Sequence, residues 1–427
     1  MKSNLAIGQS GGPTAVINAT LAGILIQARA CATFTGIVGL AHGLEGALTD
    51  EWIDLSGLTD DTLNTLAHTP GAALGSSRRK LYEAEYARVI EVFHARDIHH
   101  FAYIGGNGSM WVANHLAEIA AAQGYDLHIV GVPKTIDNDL PCTDHAPGYG
   151  SAARFLALAT RDAGLDLEAM QTFDDVVILE AMGRDTGWLA AASALLKESD
   201  DDAPHLIYVP EIPFAETHFL DDIAQVHARL GRVFVVVAEG IRDVQGQFVE
   251  GQQQADKDSL GRTIHGLSAG PGAYLTQLVR DTVGLQTRCF RPGLIGRSSS
   301  ASVSEVDRAE AYQVGETAAR LLADGQGGVM VSIPSLNPSP LHREGLETPP
   351  PHCMERVTEG RGGGDKLPYT STIPLAEVAR ADIKRLPRAY LNEGGNGVTP
   401  AFREYWLPLI GNVPPIVRLD KARKAVL

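Results

Sequence analysis

The sequence predicts an α/β protein whose parallel β-sheets are flanked by helices and divided between two lobes. Short runs rich in Val, Ile and Tyr recur along the chain, each followed by glycine or turn residues and then by a helical pattern, as in strands joined by crossover helices. The chain has 427 residues, more than one hydrophobic core usually holds. Unusual polar segments follow the apolar runs, at the strand ends where such sheets collect ligands.

Eight strands are predicted from the apolar runs, and a long loop follows the last of them. From Ser335 to Lys366 the composition shifts to proline, glycine and charge, which predicts a surface loop. A helical C-terminal segment follows this loop. The predicted strands are Leu5–Ile7, Gly36–Gly39, Phe101–Ile104, His128–Gly131, Val176–Glu180, His205–Val209, Val233–Ala238 and Val329–Ile333.

The composition excludes several classes of function. The formal net charge of -15 argues against a broad surface for nucleic acid or anionic membranes, because polyanions would be repelled. The four cysteines form no CxxC pair, which disfavours a zinc site and a disulfide framework. The N-terminus lacks the features of a signal peptide, and no apolar run is long enough to span a bilayer. We therefore expect a cytoplasmic protein.

Two glycine-rich segments follow predicted strands and open predicted helices. The first contains Gly11 and Gly12, and the second is GGNGS, from Gly105 to Ser109. The N–H groups and the dipole at the start of a helix favour an anion. One such turn is as often simple turn chemistry, but two after parallel strands indicate a phosphate site. Neither the Walker sequence nor the dinucleotide GxGxxG pattern is present.

Positive charge is concentrated at Arg78, Arg79 and Lys80, between the two glycine turns. In an acidic protein these three residues could neutralise a polyphosphate. A solvated basic face is an equally good interpretation of the same run.

The most informative segment is PKTIDND, in which Lys134, Thr135, Asp137 and Asp139 follow an apolar strand. Phosphoryl transfer needs a group that orients the attacking hydroxyl, magnesium, and positive charge near the transferring oxygens. This segment supplies residues for each of these needs. An aspartate-rich turn that only satisfies its own backbone is the alternative, and it leaves Lys134 unexplained.

PKTIDND, together with EAMGRDTGW, GGNGS and the opening GQSGGPTAVINA, resembles the phosphofructokinases. The resemblance covers nearly the whole chain and is closest to the pyrophosphate-using branch, through TDHAPGYGSAA and SEVDRAEAYQVG. It implies a phosphofructokinase-like fold of two lobes, each with a mainly parallel sheet. Residues 1–145 would form the donor phosphate-binding lobe. Residues 146–334 would form the sugar-binding lobe, with segments that return to the first, and residues 335–427 the surface loop and C-terminal helices.

The resemblance also implies a role for individual residues, with Asp137 as the base that takes the proton of the sugar hydroxyl and Mg²⁺ as cofactor. Combined with the residues of the glycine turns, it gives four sets. The catalytic set is Asp137, Lys134 and Arg184; the substrate-binding set is Thr135, Asp139, Met182, Gly183, Glu239, Arg288 and Arg297; the donor-binding set is Gly11, Gly12, Arg78, Arg79, Gly106, Asn107, Gly108, Ser109 and Trp111; the metal set is Asp137, Asp139 and Asn107.

A further implication of the resemblance is an oligomer. In this family an arginine that matches Arg288 reaches into the site of a neighbouring subunit. We therefore expect a homodimer or homotetramer that binds a sugar phosphate and either ATP or pyrophosphate.

The two donor markers conflict. Pyrophosphate users typically carry Asp at the position of Gly108, whereas Lys134 is the pyrophosphate-type residue. Trp111 offers an aromatic face for a nucleobase, and Arg79 adds charge suited to a longer phosphate chain. Together these residues tip the prediction towards ATP, with pyrophosphate as the alternative donor. Packing in the core is the alternative interpretation of Trp111.

Other departures from the family concern the metal and the acceptor. Asn107 replaces an aspartate that binds magnesium in many members. A catalytically silent sensor of sugar phosphates therefore remains an alternative function. Asp175 stands where many members have a basic residue for the 6-phosphate of the sugar, and Leu294 replaces a His or Tyr. The predicted acceptor is fructose 6-phosphate, with another sugar or a polyol as the alternative.

Overall fold

The chain forms two β-sheets with helices packed on them, in a computed structural model that describes residues 2–77, 79–170, 172–249, 270–335 and 370–418. One sheet has seven strands and the other has four. The predicted α/β class with two mainly parallel sheets is therefore confirmed. Apart from Ser335, the predicted surface loop lies outside the described residues.

The seven-stranded sheet has the order β11-β10-β5-β4-β1-β2-β3, and the four-stranded sheet has the order β7-β8-β6-β9. The strands are β1 Ser3–Gln9, β2 Phe34–Leu40, β3 Trp52–Asp54, β4 Ile98–Gly105, β5 His128–Pro133, β6 Val176–Ala181, β7 Leu206–Tyr208, β8 Val233–Ala238, β9 Thr287–Phe290, β10 Val329–Ser332 and β11 Ser371–Pro374.

Within the described residues, most strand pairs are parallel. Only β3 and β11, at opposite edges of the larger sheet, pair antiparallel with their neighbours. The smaller sheet is parallel throughout. Late in the sequence, β10 pairs with β5 and β11 pairs with β10, so the chain returns to its first sheet after building the second.

Thirteen helices of the described chain surround the sheets. None of them is both long enough and apolar enough to cross a membrane. They are α1 Ile17–Arg29, α2 Leu44–Thr49, α3 Asp60–His68, α4 Glu83–Ala95, α5 Asn107–Ala122, α6 Tyr149–Ala169, α7 Trp188–Ala192, α8 Glu216–Leu230, α9 Gly270–Val283, α10 Leu294–Ser298, α11 Glu305–Ala323, α12 Leu375–Arg380 and α13 Pro400–Trp406.

All eight predicted strands are present, and the three unpredicted strands β3, β9 and β11 lie at sheet edges. Each has only three or four residues, and β3 and β9 expose polar side chains. An edge strand needs neither length nor a continuous apolar run, because it has a neighbour on one side only. The hydrophobic pattern that predicts central strands therefore does not detect these three.

Helices α1 and α11 pack against each other through glycines. A Cβ atom at Gly315 would lie 2.1 Å from the Thr20 carbonyl oxygen, and one at Gly23 would lie 2.1 Å from the Tyr312 carbonyl oxygen. Real Cβ atoms do not approach so closely, so neither position admits a side chain unless the helices separate. This contact holds α11 against the first sheet, although α11 follows the second sheet in the sequence.

We predict that Gly315→Ala lowers the free energy of unfolding by about 1–3 kcal/mol, because overpacking outweighs the gain in helix propensity. Urea unfolding followed by circular dichroism measures the change. Gly57→Ala is the matched control, since a Cβ at Gly57 meets nothing within 4 Å, and its change should stay within about 0.5 kcal/mol. Equal stability of the two variants would contradict the packing argument.

Candidate active site

A single cleft lies at the carboxyl ends of β1, β4 and β5. The first glycine corner, Gly11 and Gly12, follows β1, and the second, residues 106–108, follows β4. The aspartate turn, residues 134–140, follows β5. The cleft is lined by Ser10, Gly11, Gly12, Pro13, Leu44, Glu45, Ser77, Arg79, Leu81, Tyr86, Tyr103, Gly106, Asn107, Gly108, Ser109, Val112, Lys134, Thr135, Ile136, Asp137, Asp139, Met182, Arg184, Glu239 and Arg297.

The aspartate turn is held by hydrogen bonds within itself. The Thr135 hydroxyl donates to Asp139 Oδ1 at 3.1 Å and accepts from the Asp137 N–H at 3.1 Å. Asn138 adopts a positive φ of 51°, which an asparagine tolerates better than most residues. Both carboxylates are nearly buried. The turn therefore presents two fixed acidic groups to the cleft.

The second sheet supplies the opposite wall through the MGRD loop, residues 182–187, which follows β6. Glu239, directly after β8, accepts from the backbone N–H groups of Gly183 and Arg184 with the same oxygen, at 3.2 and 3.1 Å. Arg184 Nε lies 3.6 Å from Asp137 Oδ2. The Thr186 hydroxyl donates to the Asp137 carbonyl at 2.9 Å. The two sheets thus meet at Asp137.

Lys134 lies beneath the first glycine corner. Its Nζ donates to the Gly12 carbonyl at 2.8 Å, and a Cβ atom at Gly11 would lie 3.2 Å from the same nitrogen. Gly11 also has a φ of 78°, in the region that favours glycine. A side chain at Gly11 would crowd the ammonium group. Because this position is glycine, the positive charge of Lys134 can lie close to the backbone of the corner.

Asn107 connects the second glycine corner to the aspartate turn. Its amide nitrogen donates to Asp139 Oδ2 at 2.8 Å and to the Asp139 carbonyl at 3.3 Å. Among the described residues there is no cluster of three or more His, Cys, Asp or Glu side chains that could hold a metal ion. A metal in this cleft would therefore rely on two carboxylates, an amide oxygen and the substrate.

The comparison with known proteins identifies the family. The sequence model of the Phosphofructokinase family matches residues 4–322 of this chain, which is more than half of its length. The chain belongs to the phosphofructokinase family. The resemblance found in the sequence motifs is thereby confirmed, and the protein is an enzyme of the phosphotransferase class.

Individual relatives of this phosphofructokinase cover nearly its whole length. A protein of Xanthomonas campestris named pyrophosphate–fructose 6-phosphate 1-phosphotransferase is 39% identical over 97% of this chain and 93% of its own. A protein of Alkalicoccus urumqiensis named sulfofructose kinase is 33% identical over 96% of each chain. The crystal structure of a pyrophosphate-dependent phosphofructokinase from Marinobacter aquaeolei has 33% identity and a TM-score of 0.79, with 97% and 94% covered.

Most of the residues predicted for the site come together in the cleft of this phosphofructokinase. Gly183 adjoins it through its hydrogen bond to Glu239, and Arg79 lines it while pairing with Glu85. Arg78 lies outside the described residues.

Trp111 is not among the cleft-lining residues, contrary to the expectation of a nucleobase platform. Its ring stacks on His115 with centroids 5.0 Å apart and meets the edge of Tyr86. Tyr86 and the neighbouring Val112 line the cleft instead. The register of α5 turns Trp111 towards Tyr86 of α4, and the residue stays 41% exposed outside the cleft.

Arg288 also lies away from the cleft of its own chain. Its Nε is 2.7 Å from Asp174 Oδ1, and its side chain is 59% exposed. The neighbouring Asp175 accepts from the Gln286 N–H at 2.8 Å and lies 3.4 Å from His227. The Asp175 carboxylate is therefore engaged with the fold, and Leu294 is exposed to solvent.

Several cleft residues were not predicted. Glu45 accepts a hydrogen bond from Ser77, and Tyr103, Leu44 and Leu81 line the same half of the cleft. Glu45 follows the predicted strand Gly36–Gly39 in the segment AHGLEG, so it occupies the same type of strand-end position as the glycine corners. That signal was in the sequence and applies equally to the adjacent Leu44, whereas nothing in the local sequence indicates that Tyr103 or Leu81 lines a cleft.

A buried charge cluster follows the aspartate turn. The two ring nitrogens of His145 lie 2.8 Å from Asp144 Oδ2 and 2.8 Å from Glu310 Oε2. The Tyr405 hydroxyl donates to the other oxygen of Asp144 at 2.6 Å. Burial alone would lower the pKa of His145, but the two carboxylates outweigh it and raise the pKa to about 10.

The raised pKa of His145 predicts a pH-dependent stability. The folded state keeps the proton that the unfolded state releases near pH 6.5, so this contribution is complete below that pH and is lost as the pH rises through about 10. The slope from one proton is at most about 1.4 kcal/mol per pH unit. Between these two pH values, the free energy of unfolding measured with denaturant should fall more steeply with pH in wild type than in His145→Gln. Equal slopes would show that the pKa of His145 is not raised by folding.

Proposed function

We propose that this phosphofructokinase transfers a phosphoryl group from pyrophosphate to the 1-hydroxyl of fructose 6-phosphate. One observation carries the proposal: the Lys134 ammonium contacts the first glycine corner at Gly12 and lines the same cleft as Asp137. A fixed positive charge thus lies between backbone that can cradle phosphate and a carboxylate that can take a proton. The relative from Xanthomonas campestris, whose name contains both substrates, supports this assignment.

Pyrophosphate replaces the ATP preference that Gly108 and Trp111 suggested, because the comparisons do not support that preference. Trp111 stacks on His115 instead of lining the cleft. Glu45 places a carboxylate in the donor half of the cleft, which disfavours the extra negative charge of a longer phosphate chain. Lys134 and the names of the relatives also favour pyrophosphate.

In the proposed reaction Asp137 accepts the proton of the sugar 1-hydroxyl as its oxygen attacks phosphorus. The bond from that phosphorus to the bridging oxygen breaks, and inorganic phosphate leaves. Lys134 and Arg184 stabilise the charge on the transferring and leaving oxygens. Arg184 is close enough to Asp137, at 3.6 Å, to hold its carboxylate in place while the hydroxyl approaches.

The acceptor would bind against the MGRD loop. Met182, Gly183 and Thr135 contact the sugar, and Arg297 faces its phosphate. One oxygen of Glu239 is already committed to two backbone N–H groups, so the other oxygen accepts from the sugar hydroxyls. Asp139 lies on the donor side of Asp137 and receives hydrogen bonds from Asn107 and Thr135.

The oxygen donors of the cleft fit a magnesium ion shared with the substrate. Mg²⁺ prefers oxygen ligands and is often held by one or two carboxylates plus phosphate oxygens. The carboxylates of Asp137 and Asp139 and the amide oxygen of Asn107 would hold it. When bound, the ion would neutralise charge on the donor phosphates. Phosphorylated substrates and a magnesium cofactor are consistent with the cytoplasmic location that we expect.

Sulfofructose is a second candidate acceptor, favoured by the acidic residues near Arg288. Asp174 pairs with Arg288, and Asp175 stands at a position where many family members have a basic residue. A sulfonate carries a single negative charge, whereas a phosphate monoester carries nearly two at neutral pH. A site with less positive charge suits the sulfonate better, and one relative is named sulfofructose kinase.

An assay of product formation tests donor, acceptor and base together. Wild type receives pyrophosphate or ATP with Mg²⁺, and fructose 6-phosphate or sulfofructose. We expect turnover with pyrophosphate and a fall of about 10²–10⁴-fold in kcat for Asp137→Asn, because the amide cannot accept the proton. Asp281→Asn, at an exposed carboxylate of α9, should keep wild-type kcat.

The other outcomes of this assay each decide an alternative. Turnover with ATP alone would overturn the pyrophosphate assignment, and preference for sulfofructose would overturn the acceptor. Absence of product with every pair would leave a sensor as the function. Undiminished kcat in Asp137→Asn would remove Asp137 as the base.

We further propose that the enzyme is at least a dimer in which Arg288 serves the site of the neighbouring subunit. Its exposed side chain lies outside the cleft of its own chain. A guanidinium that binds a phosphate contributes about 1.5–3 kcal/mol. Arg288→Ala should therefore raise KM for the sugar phosphate about 10- to 100-fold.

Subunit mixing provides the decisive readout. If each site combines Asp137 of one chain with Arg288 of another, hybrids of Asp137→Asn and Arg288→Ala contain some intact sites. Random pairing in a dimer should restore about a quarter of wild-type activity at low sugar phosphate. Activity no higher than the average of the two separate variants would show that each site is built from one chain.

A further inference from the structure

Three consecutive residues after α12, Lys384 to Leu386, lie between the two walls of the cleft without lining it. They contact the aspartate turn on one side and the MGRD loop on the other. Their position in the sequence is far from both, since Lys384 is 246 residues beyond its partner Asn138. Neither the motifs nor the proposed mechanism uses this segment, which we call the bridge segment.

The Lys384 ammonium closes the loop that follows Asp137. It donates to Asn138 Oδ1 at 3.0 Å, to the Thr143 carbonyl at 3.0 Å and to the Asp144 carbonyl at 2.6 Å. A lysine ammonium has three N–H donors, and here each has an acceptor. The backbone N–H of Lys384 donates in addition to the Asp139 carbonyl at 2.9 Å. One residue therefore ties both ends of the loop from residue 138 to residue 144.

The same segment holds the MGRD loop and the start of α7. The indole N–H of Trp188 donates to the Lys384 carbonyl at 3.2 Å, and Arg385 donates to the Asp185 carbonyl at 3.0 Å. One oxygen of the half-buried Glu211 accepts from the N–H groups of both Leu386 and Gly187, at 2.9 and 3.0 Å. The bridge segment is thus bonded to the loops that carry Asp137 and Arg184.

We propose that Lys384 is a positioning residue for phosphoryl transfer, which fixes the aspartate turn against the MGRD loop so that Asp137 and Arg184 face the same substrate. The proposal rests on the function proposed above. Asn138 has a positive φ, a conformation that persists where its surroundings hold it, and Lys384 binds its side chain. Without the ammonium, three acceptors beside the cleft lose their donor at once.

Lys384→Met tests the proposal, with Lys197→Met as matched control. Lys197, like Lys384, is half-buried and donates to a backbone carbonyl, that of Pro204, at 2.8 Å, but it lies outside the cleft. A displacement of about 1 Å can lower a rate about 100-fold. We expect kcat of Lys384→Met to fall by about that factor, with KM for both substrates within about threefold, and kcat of Lys197→Met to stay near wild type.

A double-variant cycle separates positioning from general stability. If Lys384 acts through Asp137, adding Lys384→Met to Asp137→Asn should lower kcat little further. The proposal would be overturned if the fold-reduction of kcat in the double variant equalled the product of the two single reductions. It would also be overturned if Lys384→Met and Lys197→Met had equal kcat values. Lys384→Arg, which keeps the charge but has a planar fork, should be intermediate; it also serves as the test if the methionine variant does not fold.

Amide hydrogen exchange gives a readout that does not depend on activity. Peptides covering residues 135–146 should exchange faster in Lys384→Met than in wild type, whereas Lys197→Met should leave them unchanged. Unchanged exchange in Lys384→Met would refute the positioning role. Faster exchange in Lys384→Met, combined with a wild type that turns over none of the substrate pairs, would show that the proposed function is wrong although Lys384 does hold the turn.

Discussion

The contact between Asp137 and the MGRD loop is the constraint on which the rest of the site depends. Arg184 and Thr186 reach Asp137 from the loop that follows β6 of the second sheet, whereas Asp137 follows β5 of the first. Both strands end at the cleft because each belongs to a parallel arrangement whose carboxyl ends face the other sheet. Two parallel sheets can therefore share one site, and side chains from both converge on a single carboxylate.

Local charge solves the problem of binding phosphate to an acidic protein. The chain has a net charge of -15, so its overall field repels polyanions. The cleft compensates with the ammonium of Lys134, the guanidinium of Arg184 and the backbone at the first glycine corner. Groups held this close to a ligand act over distances shorter than the Debye length of about 8 Å in physiological salt, whereas the more distant surface charges are screened.

What the sequence predicts depends on whether the signal is local. The aspartate turn and glycine corners lie within short segments whose composition is unusual, so their place at strand ends could be inferred. Trp111 was assigned to the donor site because a single helix pattern does not say which face meets α4. The role of Lys384 was not predicted. Its hydrogen bond to Asn138 spans 246 residues of sequence, and no motif near either residue indicates that the two are in contact. Motifs therefore predict the residues that carry the chemistry of this cleft better than they predict the distant residues that hold those residues in position.

Asn107 shows how a departure from a family pattern can be compatible with activity. An aspartate there would add a third carboxylate beside Asp137 and Asp139, and like charges so close repel one another and an incoming polyphosphate. The asparagine instead donates a hydrogen bond to Asp139 Oδ2 at 2.8 Å. It removes one negative charge and gives Asp139 a fixed partner. Because the donor brings its own phosphate oxygens, the loss of one acidic ligand need not abolish metal binding.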